Sequence, residues 1–192
     1  MTLLDEIAHQ HSETMRRVYE RRGRTSPTLW AQSIDRMIIA SPKDRKSLEE
    51  TNDEFRGTLA VAMACRIDAL AIGRCDEGFI HTGKPKYLNA GDLVRIADSD
   101  PEVRTCVITE AVAVGGSEEV TIVAVHGIDD YGQSTWDVRE SHNSTRTTLV
   151  PLQAARSVID GGLSDYWRDR HALDQFVGQF GWELQTFPEH AE

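Results

Sequence analysis

The pattern of hydrophobic periods along the chain predicts an α+β fold: a mainly antiparallel sheet of about five to six strands, flanked by N-terminal, middle and C-terminal helices. Three observations carry this. Helical-period stripes occupy the start of the chain and return after Pro151. Between them lies a long stretch of β-branched residues broken by turn signals. Within it, Gly115-Gly116-Ser117 joins two such runs, the arrangement that closes a hairpin.

The first helix is marked by Leu3, Leu4, Ile7, Met15, Val18 and Tyr19 at helical spacing, behind a Thr2/Asp5 pair placed as a capping box. Gly23 sits where a left-handed C′ residue belongs, after Arg16, Arg17, Arg21 and Arg22, whose charges suit the negative end of the helix dipole. Thr28–Ile34 and Met37–Ile39 then read as two short strands of a hairpin, although Trp30, Ile34 and Met37/Ile38 also match a helical period. Ser41-Pro42 is placed to open a second long helix, with Leu48, Phe55, Leu59, Ala62 and Met63 on its buried face. Ala69–Cys75 reads as a strand that Gly78-Phe79-Ile80 can continue. His81–Gly91 reads as a surface loop, followed by a short alternation from Leu93 to Ile96 and a turn at Asp98–Pro101. Strands are expected over Val103–Val114, Val120–Ile128 and Ser134–Arg139. After Pro151 come two helices, the second capped by Ser164 and Asp165 and closed by Gly181.

At 192 residues the chain is expected to form one α+β domain over 1–192, with an N-terminal helix (1–24), a helix-plus-sheet body (28–150) and C-terminal helices (151–182). A core of that size needs neither disulfide nor metal to fold. Cys65, Cys75 and Cys106 are odd in number and lack C-x-x-C spacing, which fits reduced thiols. The N-terminus carries no secretory pattern, and no apolar run approaches a membrane span. The expected compartment is the cytoplasm of a bacterial host, with a virion kept open, and the Asn143-Ser144-Thr145 sequon is then idle.

The net charge of −10 is unevenly placed. Residues 1–60 hold ten basic and ten acidic groups, whereas 61–192 hold eleven against twenty-one. Such a body is a poor ordinary nucleic-acid binder, because phosphate contacts need cations. The arginine-rich helix end remains able to meet an acidic surface.

Ile67-Asp68-Ala69-Leu70-Ala71-Ile72 after a long helix, then Glu77-Gly78-Phe79-Ile80, then Asp100-Pro101-Glu102-Val103-Arg104 leading into a paired strand, form an order over roughly residues 28–140. It resembles uncharacterised small α+β proteins of bacteriophages and bacterial genomes. Phe79 stands where those proteins would carry tryptophan. The resemblance implies a fold class and a mobile-element setting, and no mechanism.

No strong catalytic or cofactor motif is present. The chain has no H-E-x-x-H, EF-hand loop, paired C-x-x-C, G-x-S-x-G elbow or phosphate cradle, so no cofactor and no small-molecule ligand are indicated. Thr82-Gly83-Lys84-Pro85 lacks the second glycine of a cradle. Asp98, Asp100 and Glu102 read as a solvated turn, and His9 and His11 face different sides of their helix. His126 with Asp129 and Asp130 follows a strand where a divalent ion could be held, although Gly127–Gly132 reads first as an ordinary hairpin turn; the hydrolase alternative uses His126 and Asp129 with Glu77 or Glu110. Cys75 becomes an activated thiol only if His81 or His126 approaches it; otherwise it is core filler. Ser141-His142-Asn143-Ser144 reads as a loop with nothing to aim it. Interface candidates are Trp136, on a polar strand, and Arg16, Arg17, Arg21, Arg22 and Arg24.

The leading expectation is a non-enzymatic binding or assembly protein acting through a protein partner or self-association. A small metal-dependent hydrolase and an acidic inhibitor that imitates nucleic acid are the alternatives.

Overall fold

The computed structural model describes residues 1–49, 51–83, 93, 100–142, 150–162 and 165–188. Its elements in chain order are α1 (Leu3–Arg22), β1 (Thr28–Gln32), β2 (Arg36–Pro42), α2 (Arg45–Glu49), α3 (Asp53–Ile67), β3 (Ala71–His81), β4 (Val103–Ala113), β5 (Glu119–Ile128), β6 (Ser134–His142), α4 (Val150–Asp160), a 3-10 turn (Asp165–Arg168), α5 (Arg170–Gln179) and β7 (Trp182–Pro188). The strands form one antiparallel sheet in the order β6-β5-β4-β3-β1-β2-β7. The fold is α+β as expected, with helices on both faces of the sheet.

Strand alternation sorts the core into two layers. On one face Leu29, Ala31, Ile38, Ala40, Ile72 and Val112 meet α3, α4 and α5. On the other, Trp30, Ala71, Cys75, Val107, Ala111, Val120 and Ile122 meet Leu4, Ile7, Ala8 and Met15 of α1. The alanines of α3 (Ala60, Ala62 and Ala64) are fully buried, so this helix lies close against its neighbours. Helix α1 packs on β3, β4 and β5.

The α1 termini follow the expected chemistry. The Thr2 hydroxyl accepts from the Asp5 backbone N–H, while the Asp5 carboxylate accepts from the Thr2 N–H. Gly23 ends the helix in the left-handed region (φ 68°), and its N–H bonds to the Tyr19 carbonyl. The hairpins β1–β2 and β4–β5 also form as read from the sequence.

Four local expectations are corrected. Ser41-Pro42 does not open a helix; it ends β2 and pairs with β7. The helical stretch behind it is divided, with Asn52 capping α3 through a bond from the Phe55 N–H. Strand β6 continues to His142, so Ser141 and His142 are aligned by β5 and do not belong to a loop. Finally, Trp182–Pro188 is a seventh strand beside β2, where the sequence reading stopped with the C-terminal helices. Trp182 and Leu184 turn inward and Glu183 and Gln185 outward, which is the period of a half-buried strand. The expectations for residues 84–91 and 94–99, for the Asn143-Ser144-Thr145 sequon and for a cap at Ser164 lie outside the described residues.

Candidate functional site

The metal set expected at His126, Asp129 and Glu77 is dispersed. The Glu77 carboxylate accepts from the backbone N–H of Thr25 at 2.6 Å and so ties down the segment leaving α1. The His126 ring bonds to the Ser134 hydroxyl at 3.1 Å. Asp129 accepts from the N–H groups of Tyr131 and Gln133 and shapes the β5–β6 turn. Glu110 is 0% exposed and paired with Arg74 through a 2.7 Å bond.

Among the described residues, two other groups of three donors converge to within 4.8 Å: Asp5, Glu140 and His142, and His81, Asp100 and Glu102. The first joins α1 to β6. Asp5 and His9 are four apart on α1 and share a face, and Glu140 and His142 are two apart on β6 and share a face. One Glu140 oxygen lies 2.8 Å from His9 Nε2, and the other lies 2.7 Å from His142 Nε2. Asp5 Oδ1 lies 3.6 Å from His142 Nδ1, while its other oxygen serves the helix cap. Hydrogen bonds from Thr2, together with the His142 charge, hold the Asp5 carboxyl below its usual range against the opposing effect of burial. A cleft of about 270 Å³ lined by Thr2, Leu4, Asp5, Ser117, Glu118, Glu119 and His142 opens beside the group.

In the second group the His81 side chain is 10% exposed, with Nε2 3.6 Å from Asp100 and 3.4 Å from Glu102. Its Nδ1 accepts from the Gly83 N–H, so a neutral ring carries its proton on the nitrogen that faces the carboxylates. The expected solvated turn at Asp100 and Glu102 is thus joined by a histidine from β3.

His11 lies apart from both groups. It stacks on Trp30 with ring centroids 4.1 Å apart and meets the Gln32 side chain at 3.3 Å. Burial lowers its pKa from 6.5 to about 4, against the Gln32 hydrogen bond, which raises it. The folded state therefore binds fewer protons than the unfolded chain between those values, and stability falls as pH drops through the window. The expected loss from pH 7 to pH 5 is about 2 kcal/mol. Urea melts at both pH values should show that loss reduced by a similar amount in His11→Phe, which keeps a ring against Trp30. Equal losses in the two proteins would disprove the assignment.

Cys75 is buried against Thr109 (3.4 Å), and burial pushes its thiol up to about 12, so it is core filler and not an activated nucleophile. Arg56, Arg74 and Asp76 line a void of only about 10 Å³, room for at most one water, and Arg74 also pairs with the buried Glu110.

Of the expected interface residues, Trp136 packs toward α1. Its indole N–H donates to Glu20 at 2.7 Å, and its ring meets Tyr19 and His126. Arg16 is half-buried, Arg17 pairs with Glu13, and Arg21 bonds to the Arg17 carbonyl. Arg22 and Arg24 line a groove of about 910 Å³ running from the end of α1 across β2 and β7 to α2. Lys43 and Arg45 stand on the same groove, with Met15, Val18, Ile39 and Leu48 supplying apolar surface and Asp44 and Glu183 the acidic groups. Asp44 accepts from the Ser47 N–H and hydroxyl, which holds its carboxyl below the usual range. Lys43 and Arg45 carried no sequence signal as interface residues, because only the β2–β7 pairing and the path of α1 bring them opposite Arg22 and Arg24.

No family model, curated protein or solved structure matches the chain.

Proposed function

We propose that this is a non-enzymatic assembly protein whose basic groove takes the acidic body of a second copy. The observation that carries the reading is the groove itself, lined by Arg22, Arg24, Lys43 and Arg45 together with Met15, Val18, Ile39 and Leu48. The side chains of Arg22, Arg24 and Lys43 make no hydrogen bond or ion pair among the described residues, although the Lys43 backbone N–H bonds to the Gly181 carbonyl. Opposite charge is available in the same chain: residues 61–192 hold twenty-one acidic groups against eleven basic ones, and Glu118 and Asp130 are among those that stay exposed. Guanidinium groups suit such a contact, because they bind carboxylates in a planar fork and are enriched at interfaces. If the partner surface is a patch other than the groove, the contact is head-to-tail and can close a ring or extend.

A nucleic-acid-imitating surface is less well supported, because Glu110 and Glu119 are buried against Arg74 and Arg156. Among the described residues no helix is long and apolar enough to cross a membrane.

Sedimentation of the full chain tests the proposal. At low salt the mass should exceed the 21.5 kDa of one chain, and in 1 M salt it should return to that value. Arg22→Glu with Arg24→Glu should abolish the larger species at every salt concentration. A wild-type monomer throughout, association insensitive to salt and charge reversal, or capture of duplex DNA in the groove would each overturn it.

A further inference from the structure

We infer that Asp5, Glu140 and His142, with His9 behind Glu140, form a binding site for one divalent transition-metal ion of the zinc class, clamping α1 to β6. This does not depend on the assembly reading, because the groove uses none of these residues.

One donor atom from each of Asp5, Glu140 and His142 lies within 4.8 Å of the other two. Asp5 faces Nδ1 and Glu140 faces Nε2 of the same ring, so the exposed His142 ring must turn to present one nitrogen, with both carboxylates, to an ion with bonds of about 2.0–2.2 Å. His9 touches the Glu140 oxygen opposite the one facing His142, so it can be a fourth ligand or the hydrogen-bond partner that orients Glu140. Imidazole nitrogen with carboxylate oxygen suits zinc and its neighbours better than magnesium or calcium, which take oxygen almost alone.

The scaffold supports the same conclusion. Asp5 and His9 share one helix face and Glu140 and His142 one strand face, so regular elements set the spacing. Asp5 is anchored through its other oxygen by the Thr2 N–H, leaving Oδ1 directed at His142. The adjoining cleft gives an ion a path in and leaves a coordination position open to water.

The test uses the whole chain, freed of metal by a chelator and titrated with Zn²⁺ in a calorimeter. A parallel titration with Co²⁺ is followed through its visible absorption. One ion per chain should bind, with a rise in melting temperature. His142→Ala and Glu140→Gln should each weaken binding by about tenfold or more while leaving the circular dichroism unchanged. His81→Ala, at the other histidine–carboxylate group, should leave affinity unaltered. Asp5 is unsuitable for substitution because it also caps α1. Absence of binding to wild type, unchanged affinity in both His142→Ala and Glu140→Gln, or loss in His81→Ala would overturn the site. Failure here leaves the salt-dependent association untouched, and the converse holds.

Discussion

Gly73→Ala is expected to lose about 3 kcal/mol or more of stability, a large share of what a domain of this size has. Gly73 lies in β3, opposite Trp30 of β1 and Ala111 of β4. A Cβ at this position would enter the Trp30 ring and the Glu110 carbonyl. Trp30 is 0% exposed and has no room to retreat, because His11 stacks on it with the ring planes 7° apart. Glycine, indole and imidazole thus form three successive layers between the sheet and α1. The missing side chain of one strand residue is replaced by the ring of its cross-strand partner. The variant should show a lower urea midpoint and altered near-ultraviolet circular dichroism. Gly73→Ala with Trp30→Leu should be less damaged than the sum of the two single changes, because the smaller side chain removes the ring collision. Rescue should remain partial, since the Glu110 carbonyl is backbone. A Gly73→Ala protein within 1 kcal/mol of wild type would refute this account of the stack.

Local signals in the sequence were strong where the physics is local. Thr2 and Asp5 cap α1, Gly23 ends it, and Gly115 turns the β4–β5 hairpin with a positive φ, each through contacts within a few residues. Seven strands in place of five or six follow from β7, whose alternation is short and follows directly on the helical period of α5. The split of the second helical stretch turned on one residue: Asn52 caps α3, while the proline expected to begin a helix ends β2. Site chemistry was less legible because it is made by distant contacts. His9 and Glu140 are 131 positions apart, and neither Asp5-x-x-x-His9 nor Glu140-x-His142 has a known meaning alone. The i,i+4 spacing of Asp5 and His9 is the one local signal of a shared helix face. In contrast, the separation of His9 from His11 was correct: one faces Glu140, the other is buried on Trp30.

Arg74→Met should cost about 3–5 kcal/mol, because it leaves a carboxylate buried without its counter-charge. Glu110 is 0% exposed, and both the Nε and an Nη of Arg74 reach the same Glu110 oxygen, at 2.7 and 2.6 Å. Asp76 depends on the same guanidinium, 3.6 Å away. Burial already raises the Asp76 pKa, while Arg74 and Arg56 act to lower it and Glu110 raises it further. Without Arg74 the raising contributions gain, and the folded protein holds protons that the unfolded chain has released. Stability of the variant then falls as pH rises through that range, opposite in sign to the His11 effect. The difference between wild type and Arg74→Met should therefore be larger at pH 7 than at pH 5 in paired urea melts. Both proteins carry His11, so its acid sensitivity cancels from the comparison. Arg74→Met with Glu110→Leu should recover part of the loss, since the apolar pair removes the stranded charge, although Asp76 still lacks Arg74. A single-variant loss below 1 kcal/mol, or a deficit that grows on acidification, would mean that solvent or Arg56 already balances these carboxylates.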